Sequence, residues 1–153
     1  MRKFEKISFK QFKNDIVNDE KLYNEYNLPV RSTKYAAGYD FEALYDFILH
    51  PKETIKIPTG IKVIMNDDEA LFLIIRSSMG FKYNIRLCNQ VGVIDKDYYN
   101  NIDNEGHIFI KLQNEGNKDY CIKKGDKICQ GIFIKYLKID NEVANNNERF
   151  SDK

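Results

Sequence analysis

NEGHIFIKLQNEGNKDYCIKKGDKICQGIFIKYL, residues 104–137, carries the pattern that decides the fold. Ile108, Ile110 and Leu112 alternate with Phe109 and Lys111, the two-residue period of a strand with one buried face. Ile128 to Leu137 is a second apolar-rich strand. Around them lie Asn104-Glu105-Gly106, Asn114-Glu115-Gly116-Asn117 and Lys124-Gly125-Asp126, in which Gly, Asn and Asp supply the backbone freedom and local hydrogen bonds of tight turns. Toward the N-terminus the pattern recurs. Leu71 to Ile75 is a continuous apolar run, suited to a strand buried on both faces. Ile55 and Ile57, then Ile61, Val63 and Met65, alternate with polar residues on either side of Pro58-Thr59-Gly60. Many short strands joined by regular turns predict an all-β sandwich or barrel, not a parallel α/β sheet.

Only the beginning of the chain reads as helix. Ser8 and Gln11 can form a capping box, and Phe9, Phe12 and Ile16 follow as an apolar stripe. Asp19 to Tyr26 continues as a second helical stretch that Asn27-Leu28-Pro29 ends. The simplest reading of these helices is packing without chemistry. Residues 141–153 are polar and Asn-rich, and read as a mobile arm. The expected organisation is one β domain over residues 1–140, with a helical extension at 8–28, followed by that arm. No internal repeat is visible.

Composition narrows the function. A chain of 153 residues suits one domain with a sizeable core. Lys plus Arg number 24 against 23 Asp plus Glu, so no broad charged surface is available for duplex nucleic acid or an anionic membrane. A polyanionic ligand has to be met by a local site. Cys88, Cys121 and Cys129 form no CxxC pair and no metal-ligand spacing, and read as reduced, mostly buried thiols of a cytoplasmic protein. His50 and His107 lack the neighbours that suggest zinc. No apolar run approaches the ~20 residues of a membrane-spanning helix.

Four segments place polar, glycine-linked residues between apolar strands: Ala37-Gly38-Tyr39-Asp40-Phe41, Arg76-Ser77-Ser78-Met79-Gly80, Asn89 to Tyr98 (NQVGVIDKDY), and Gly125-Asp126-Lys127-Ile128-Cys129-Gln130. Each has an ordinary reading. Asp40 fits a turn, Gly125-Asp126 a hairpin, and Arg76-Ser77-Ser78 a capped turn as readily as a phosphate clamp. The third is the most informative. Apolar Val93 and Ile94 lead directly into Asp95, and an acid at the end of a buried strand is held as rigidly as a general base requires.

In this order and spacing the four segments resemble the trimeric dUTP diphosphatase family, over roughly residues 30 to 137. The resemblance implies a distorted jelly-roll β-barrel and a homotrimer with active sites between subunits. It also implies Mg²⁺-dependent hydrolysis of dUTP to dUMP and pyrophosphate. By motif, Asp95 resembles the base that activates water, and Asp40 the acid that orients Mg²⁺ through water. Arg76, Ser77 and Ser78 resemble the phosphate clamp, and Gln130 a further phosphate ligand. Asn89 and the backbone of Val93, Ile94 and Asp95 resemble the hairpin that reads uracil, with Phe109 adding a backbone contact. Tyr98 resembles the ring packed on deoxyribose, leaving no room for a 2′-hydroxyl.

Two departures from the family pattern stand out. After Tyr98 the loop Tyr99 to Gly106 is longer, and is expected to bulge outward. The family's arm carries an arginine and a Gly-rich segment with a phenylalanine. Here Arg149 and Phe150 supply those groups side by side, and no glycine follows Gly131. This leaves open a dUTP-binding or regulatory member with weakened catalysis. The related dCTP deaminases keep a catalytic glutamate in the strand after Gly-His-Ile, where this chain has Lys111, and a lysine cannot act as that carboxylate base.

Overall fold

The computed structural model describes residues 1–147 and residue 149. Its strands are β1 (Lys3–Lys6), β2 (Tyr39–Glu42), β3 (Phe47–Leu49), β4 (Thr54–Pro58), β5 (Ile61–Ile64), β6 (Glu69–Ile74), β7 (Ile85–Leu87), β8 (Gly92–Ile94), β9 (Phe109–Asn114), β10 (Tyr120–Ile122) and β11 (Lys127–Lys135). The helices are short: α1 (Phe9–Asp15), α2 (Glu20–Glu25) and α3 (Ser77–Tyr83). The expected all-β class is what the chain adopts. Its hydrogen bonding is divided among four antiparallel sheets, ordered β2-β11-β6-β8, β4-β9-β7, β1-β5 and β10-β3.

These sheets wrap one core. Ile57, Leu71, Ile85, Leu112 and Ile128 point inward from different strands, Ile108 from just before β9, and Phe12 closes the core from α1. Removing each such side chain from water contributes roughly 1.5–3 kcal/mol. Strand β6 differs from its expected double burial: Leu71 and Leu73 are buried, whereas Phe72 and Ile74 are only partly covered. Directly beside Phe72 in register are Val93 of β8 and Ile132 of β11. One face of the central sheet is therefore apolar and partly open, with Val93 55% exposed.

Strand β1 was not foreseen. It pairs antiparallel with β5, Phe4 opposite Val63, and Phe4 meets the rings of Tyr39, Phe41 and Phe133. Four residues with one aromatic make too short a pattern to read. The helical extension forms as the sequence indicates, but its cap differs. Ser8 accepts the Gln11 N–H at 3.1 Å, while the Gln11 side chain turns to Asp15. The Ser8 N–H instead finds the Glu105 carboxylate at 2.6 Å, so the reciprocal half of the box comes from the loop of residues 99–106.

The loop projects at its tip, where Ile102 is 83% exposed, but its base is tied to the body. Glu105 also meets Lys62 Nζ at 3.1 Å, and Asn101 and Asn104 knit the turn from inside. Gly106 closes it at φ 84°, where a Cβ would lie 2.7 Å from the Tyr98 carbonyl oxygen, so glycine is required there. The cysteines are another correction. All three are free, but only Cys129 is buried; Cys121 is exposed and Cys88 partly so.

Candidate active site

The first cluster lies across the central sheet. Gln130 of β11 stands opposite Asp40 of β2 on one side and Ile74 of β6 on the other, and Arg76 follows Ile74 by two residues. The Asp40 side chain is 9% exposed and lies between two cations, Arg76 Nε at 3.4 Å and Lys127 Nζ at 3.5 Å. Two positive groups on one carboxylate leave a local surplus of positive charge, which suits phosphate. Ser77 and Ser78 are exposed in the first turn of α3, where helix N–H groups lack intrahelical acceptors. The Gln130 carboxamide donates to the Ile75 carbonyl at 3.4 Å and lies over Gly38. Lys127 was quoted within a motif but given no role; only the pairing of β2 with β11 brings it to Asp40.

The second cluster is a cavity of about 400 Å³ lined by Leu87, Asn89, Gly92, Ile94, Phe109 and Lys111 among others. It opens because two strands leave edges unpaired. Among the described residues β8 bonds only to β6, so its other edge is unpaired there. On β9, Lys111 accepts the Cys88 N–H at 2.9 Å. Backbone groups alternate sides along a strand, so Phe109, two residues earlier, turns its N–H and C=O to the same edge, beyond the end of β7. A flat ring seated there meets backbone donors and acceptors, the recognition that uracil's alternating acceptor, donor and acceptor edge needs. Gly92 keeps this wall low, since a Cβ would lie 3.1 Å from Leu73 Cβ. Lys56 is a further rim residue that the sequence did not single out. It stands directly opposite Lys111 and places Nζ 4.4 Å from the centre of the Phe109 ring.

Asp95 follows β8 directly and begins the single turn Lys96–Tyr98. Its carboxylate is 55% exposed and receives Arg149 at 2.7 Å; the same guanidinium reaches Asp97 at 2.8 Å. Arg149 is thus brought to the acid of its own chain and not to the Arg76 cluster. Phe150 lies outside the described residues. Tyr98 is half-buried, and its hydroxyl donates to the His107 carbonyl at 2.8 Å while accepting from Asn104 at 2.7 Å. Burial raises the Tyr98 pKa, so it remains a donor.

The two clusters do not meet within one chain. Leu71 pairs with Ile94, which puts Asp95 level with Ala70. Arg76 lies six residues further on, two past the end of β6, roughly 20 Å away at ~3.3 Å per residue. An attacking water must approach its phosphorus to about 3–3.5 Å. Within one chain, Asp95 and Arg76 are therefore too far apart to act on one phosphorus. Among the described residues no group of three or more His, Cys, Asp or Glu could hold a metal. His50 and His107 each have one aspartate partner, Asp119 at 2.8 Å and Asp15 at 2.6 Å.

An all-β fold with a cationic row just past the end of β6, a base-sized cavity beside β8 and an acid at the end of β8 has the features of a nucleotide-binding protein. A family model described as dUTPase matches residues 24–153, and the chain belongs to the dUTPase family. It is 46% identical over 116 residues to the deoxyuridine 5′-triphosphate nucleotidohydrolase of Lactococcus lactis, covering 76% of this chain and 77% of that one. The Haemophilus influenzae nucleotidohydrolase of the same name is 35% identical, covering 82% of each. The crystal structure of a Streptococcus mutans dUTPase matches with a TM-score of 0.72 and 38% identity, over 90% of this chain and 98% of that one. A dUTPase from a Staphylococcus aureus phage, described with a structural Mg(II) ion, shares the fold at a TM-score of 0.69 and 17% identity, over 95% and 97% of the two chains. No helix of the described residues is long and apolar enough to cross a membrane.

Proposed function

We propose that this protein hydrolyses dUTP to dUMP and pyrophosphate in a homotrimer. Uracil lies between the free edges of β8 and β9, with Asn89, the backbone of Val93, Ile94 and Asp95, and Phe109 at its rim. Tyr98 backs the deoxyribose. Asp95 orients a water and takes its proton as the water attacks the α-phosphorus, and pyrophosphate leaves on the opposite side. Arg76, Ser77, Ser78 and Gln130 of a neighbouring subunit hold the phosphates, and Lys127 adds charge beside them. Residues 1–140 act as the β domain, and the arm of residues 141–153 brings Arg149 and Phe150 toward the site.

The donors suit Mg²⁺ in one particular mode. Asp40 is a single carboxylate already flanked by two cations, so it fits an ion carried by the triphosphate and touched through water, rather than a protein cage. When bound, the ion offsets phosphate charge.

The observation that carries the proposal is the roughly 20 Å between Asp95 and Arg76, which supports a site completed by a second chain. The half-open apolar face of Phe72, Val93, Ile132 and Ile134 offers a surface for that chain to cover. The test is pyrophosphate release from dUTP, with dTTP, dCTP and UTP as controls, and it includes a mixture of variants. Asp95→Asn and Arg76→Ala chains should each be nearly inactive. Unfolded together and refolded, they should regain about a quarter of the wild-type rate, because sites that draw both functional residues from different chains reappear. No recovery on mixing would overturn the shared site, and equal hydrolysis of all four nucleotides would overturn the substrate.

A further inference from the structure

His107 is fully buried, and both of its ring nitrogens are used. Nδ1 lies 2.6 Å from Asp15 Oδ2, and Nε2 receives the Gly60 N–H at 2.9 Å. A nitrogen that accepts from an amide carries no proton, so Nδ1–H is the donor to Asp15. Burial pushes the His107 pKa down, against the pull of Asp15, and keeps the ring neutral. Gly60 is itself fixed. Its φ is +72° and a Cβ would lie 2.8 Å from the Tyr26 ring, while its carbonyl accepts from Ile7 N–H at 3.0 Å and Tyr26 hydroxyl at 2.7 Å. The imidazole cannot turn without breaking these bonds.

The same residue touches both Tyr98, read above as the sugar wall, and Phe109, which lines the cavity. The His107 carbonyl is the acceptor for the Tyr98 hydroxyl at 2.8 Å. Its ring packs on Phe109, with centroids 4.2 Å apart. Asp15 comes from the helical extension and, besides His107, accepts from Gln11 and Asn14, each at 2.8 Å. A buried acid–imidazole pair is a costly way to fill a core; what it adds is one fixed orientation.

We infer that Asp15 and His107 are positioning residues for the nucleotide pocket: through the His107 carbonyl they hold the Tyr98 ring where it excludes a 2′-hydroxyl, so the helical extension sets the preference for deoxyribose. The inference rests on the reading of Tyr98 as the sugar wall. It extends substrate selection to a helix that makes no contact with the cavity of β8 and β9.

The test compares kcat/KM for dUTP and UTP, together with thermal midpoints, in full-length variants. Tyr98→Ala tests the wall itself and should abolish most of the dUTP preference. Asp15→Ala and Tyr98→Phe cut the tether at its two ends. Each should lower the dUTP/UTP ratio about tenfold, through KM more than kcat. The double variant should be no worse than the stronger single, since both cut one tether. Asp15→Asn should largely restore the ratio, because its carbonyl can still accept Nδ1–H while its NH2 donates to Asn14 Oδ1 once the Asn14 amide flips. If Tyr98→Ala retains the wild-type ratio, the reading of Tyr98 is wrong. If Tyr98→Ala loses it while Asp15→Ala keeps it and only the midpoint falls, the pair is structural and the inference is overturned. Losses that multiply in the double variant would also overturn it.

Discussion

Gly38→Ala isolates one contact in the phosphate cluster. Gly38 precedes β2 with no positive φ, so alanine suits the backbone. The obstacle is Gln130: a Cβ on Gly38 would lie 3.0 Å from both Cβ and Cδ of that side chain and closer still to Oε1. Carbon atoms prefer about 3.5–4.0 Å, so Gln130 has to retreat by roughly 0.5–1 Å. Its Cβ cannot do so freely, because β11 is paired on both sides. The carboxamide must swing away, giving up its long bond to the Ile75 carbonyl. The fold should lose about 1–3 kcal/mol to overpacking. A hydrogen bond to a charged phosphate is worth about 1.5–3 kcal/mol, so kcat/KM for dUTP should fall roughly ten- to hundredfold at ~1.4 kcal/mol per factor of ten. Pyrophosphate release would be measured for Gly38→Ala, Gln130→Ala and the double variant, with all three expected to be similar. A folded Gly38→Ala protein with wild-type kcat/KM would refute the reasoning, as would a double variant whose loss is the product of the singles.

Three further expectations follow from the same geometry. Asp95→Asn keeps the shape of the putting-together of β8 and its turn but removes the base, so turnover should drop ~10²–10⁴-fold with dUTP binding largely retained by calorimetry; near wild-type turnover would move the base elsewhere. Cutting the chain after Asn141 removes the Arg149 pairs with Asp95 and Asp97, which are surface-exposed and worth at most about 1 kcal/mol. The thermal midpoint should barely change while turnover slows, and a chain that turns over undiminished would show that the arm is dispensable. Acid stability should fall in two stages. His107, faced by Asp15, Glu105 and Lys56, has its pKa lowered from the usual 6.5, so the unfolded chain takes up a proton the folded one refuses. That stability is complete above 6.5 and declines as pH falls from there toward the lowered value. Glu69, bonded by Arg2, is held at about 2 instead of 4.5, so its contribution is present above 4.5 and is lost as pH falls toward 2. Thermal midpoints against pH should show both declines, and Glu69→Gln should flatten only the lower one.

The fold class, and the candidate site residues as candidates, could be read from neighbouring residues alone. Alternation at Ile108, Ile110 and Leu112 is a local consequence of strand geometry, and the turns at Gly106 and Gly125 follow from backbone freedom; both are written in neighbouring residues. The four motifs named Asp40, Arg76, Asp95, Tyr98 and Gln130 because each carries its chemistry within a few positions. The short β1 was not legible, since four residues carry too little pattern and its partner β5 lies far along the chain. Nor was the true second half of the Ser8 cap, which comes from Glu105. Which motif members stand together depends on the folded arrangement of the strands. Register across β2, β11 and β6 gathers Asp40, Gln130, Lys127 and Arg76, and the antiparallel pairing of β6 with β8 sends Asp95 to the far end. The fold also ties Asp15 to His107 across most of the chain. Such juxtapositions depend on strand register and on the packing of a helix against a distant turn, and no local spacing encodes either.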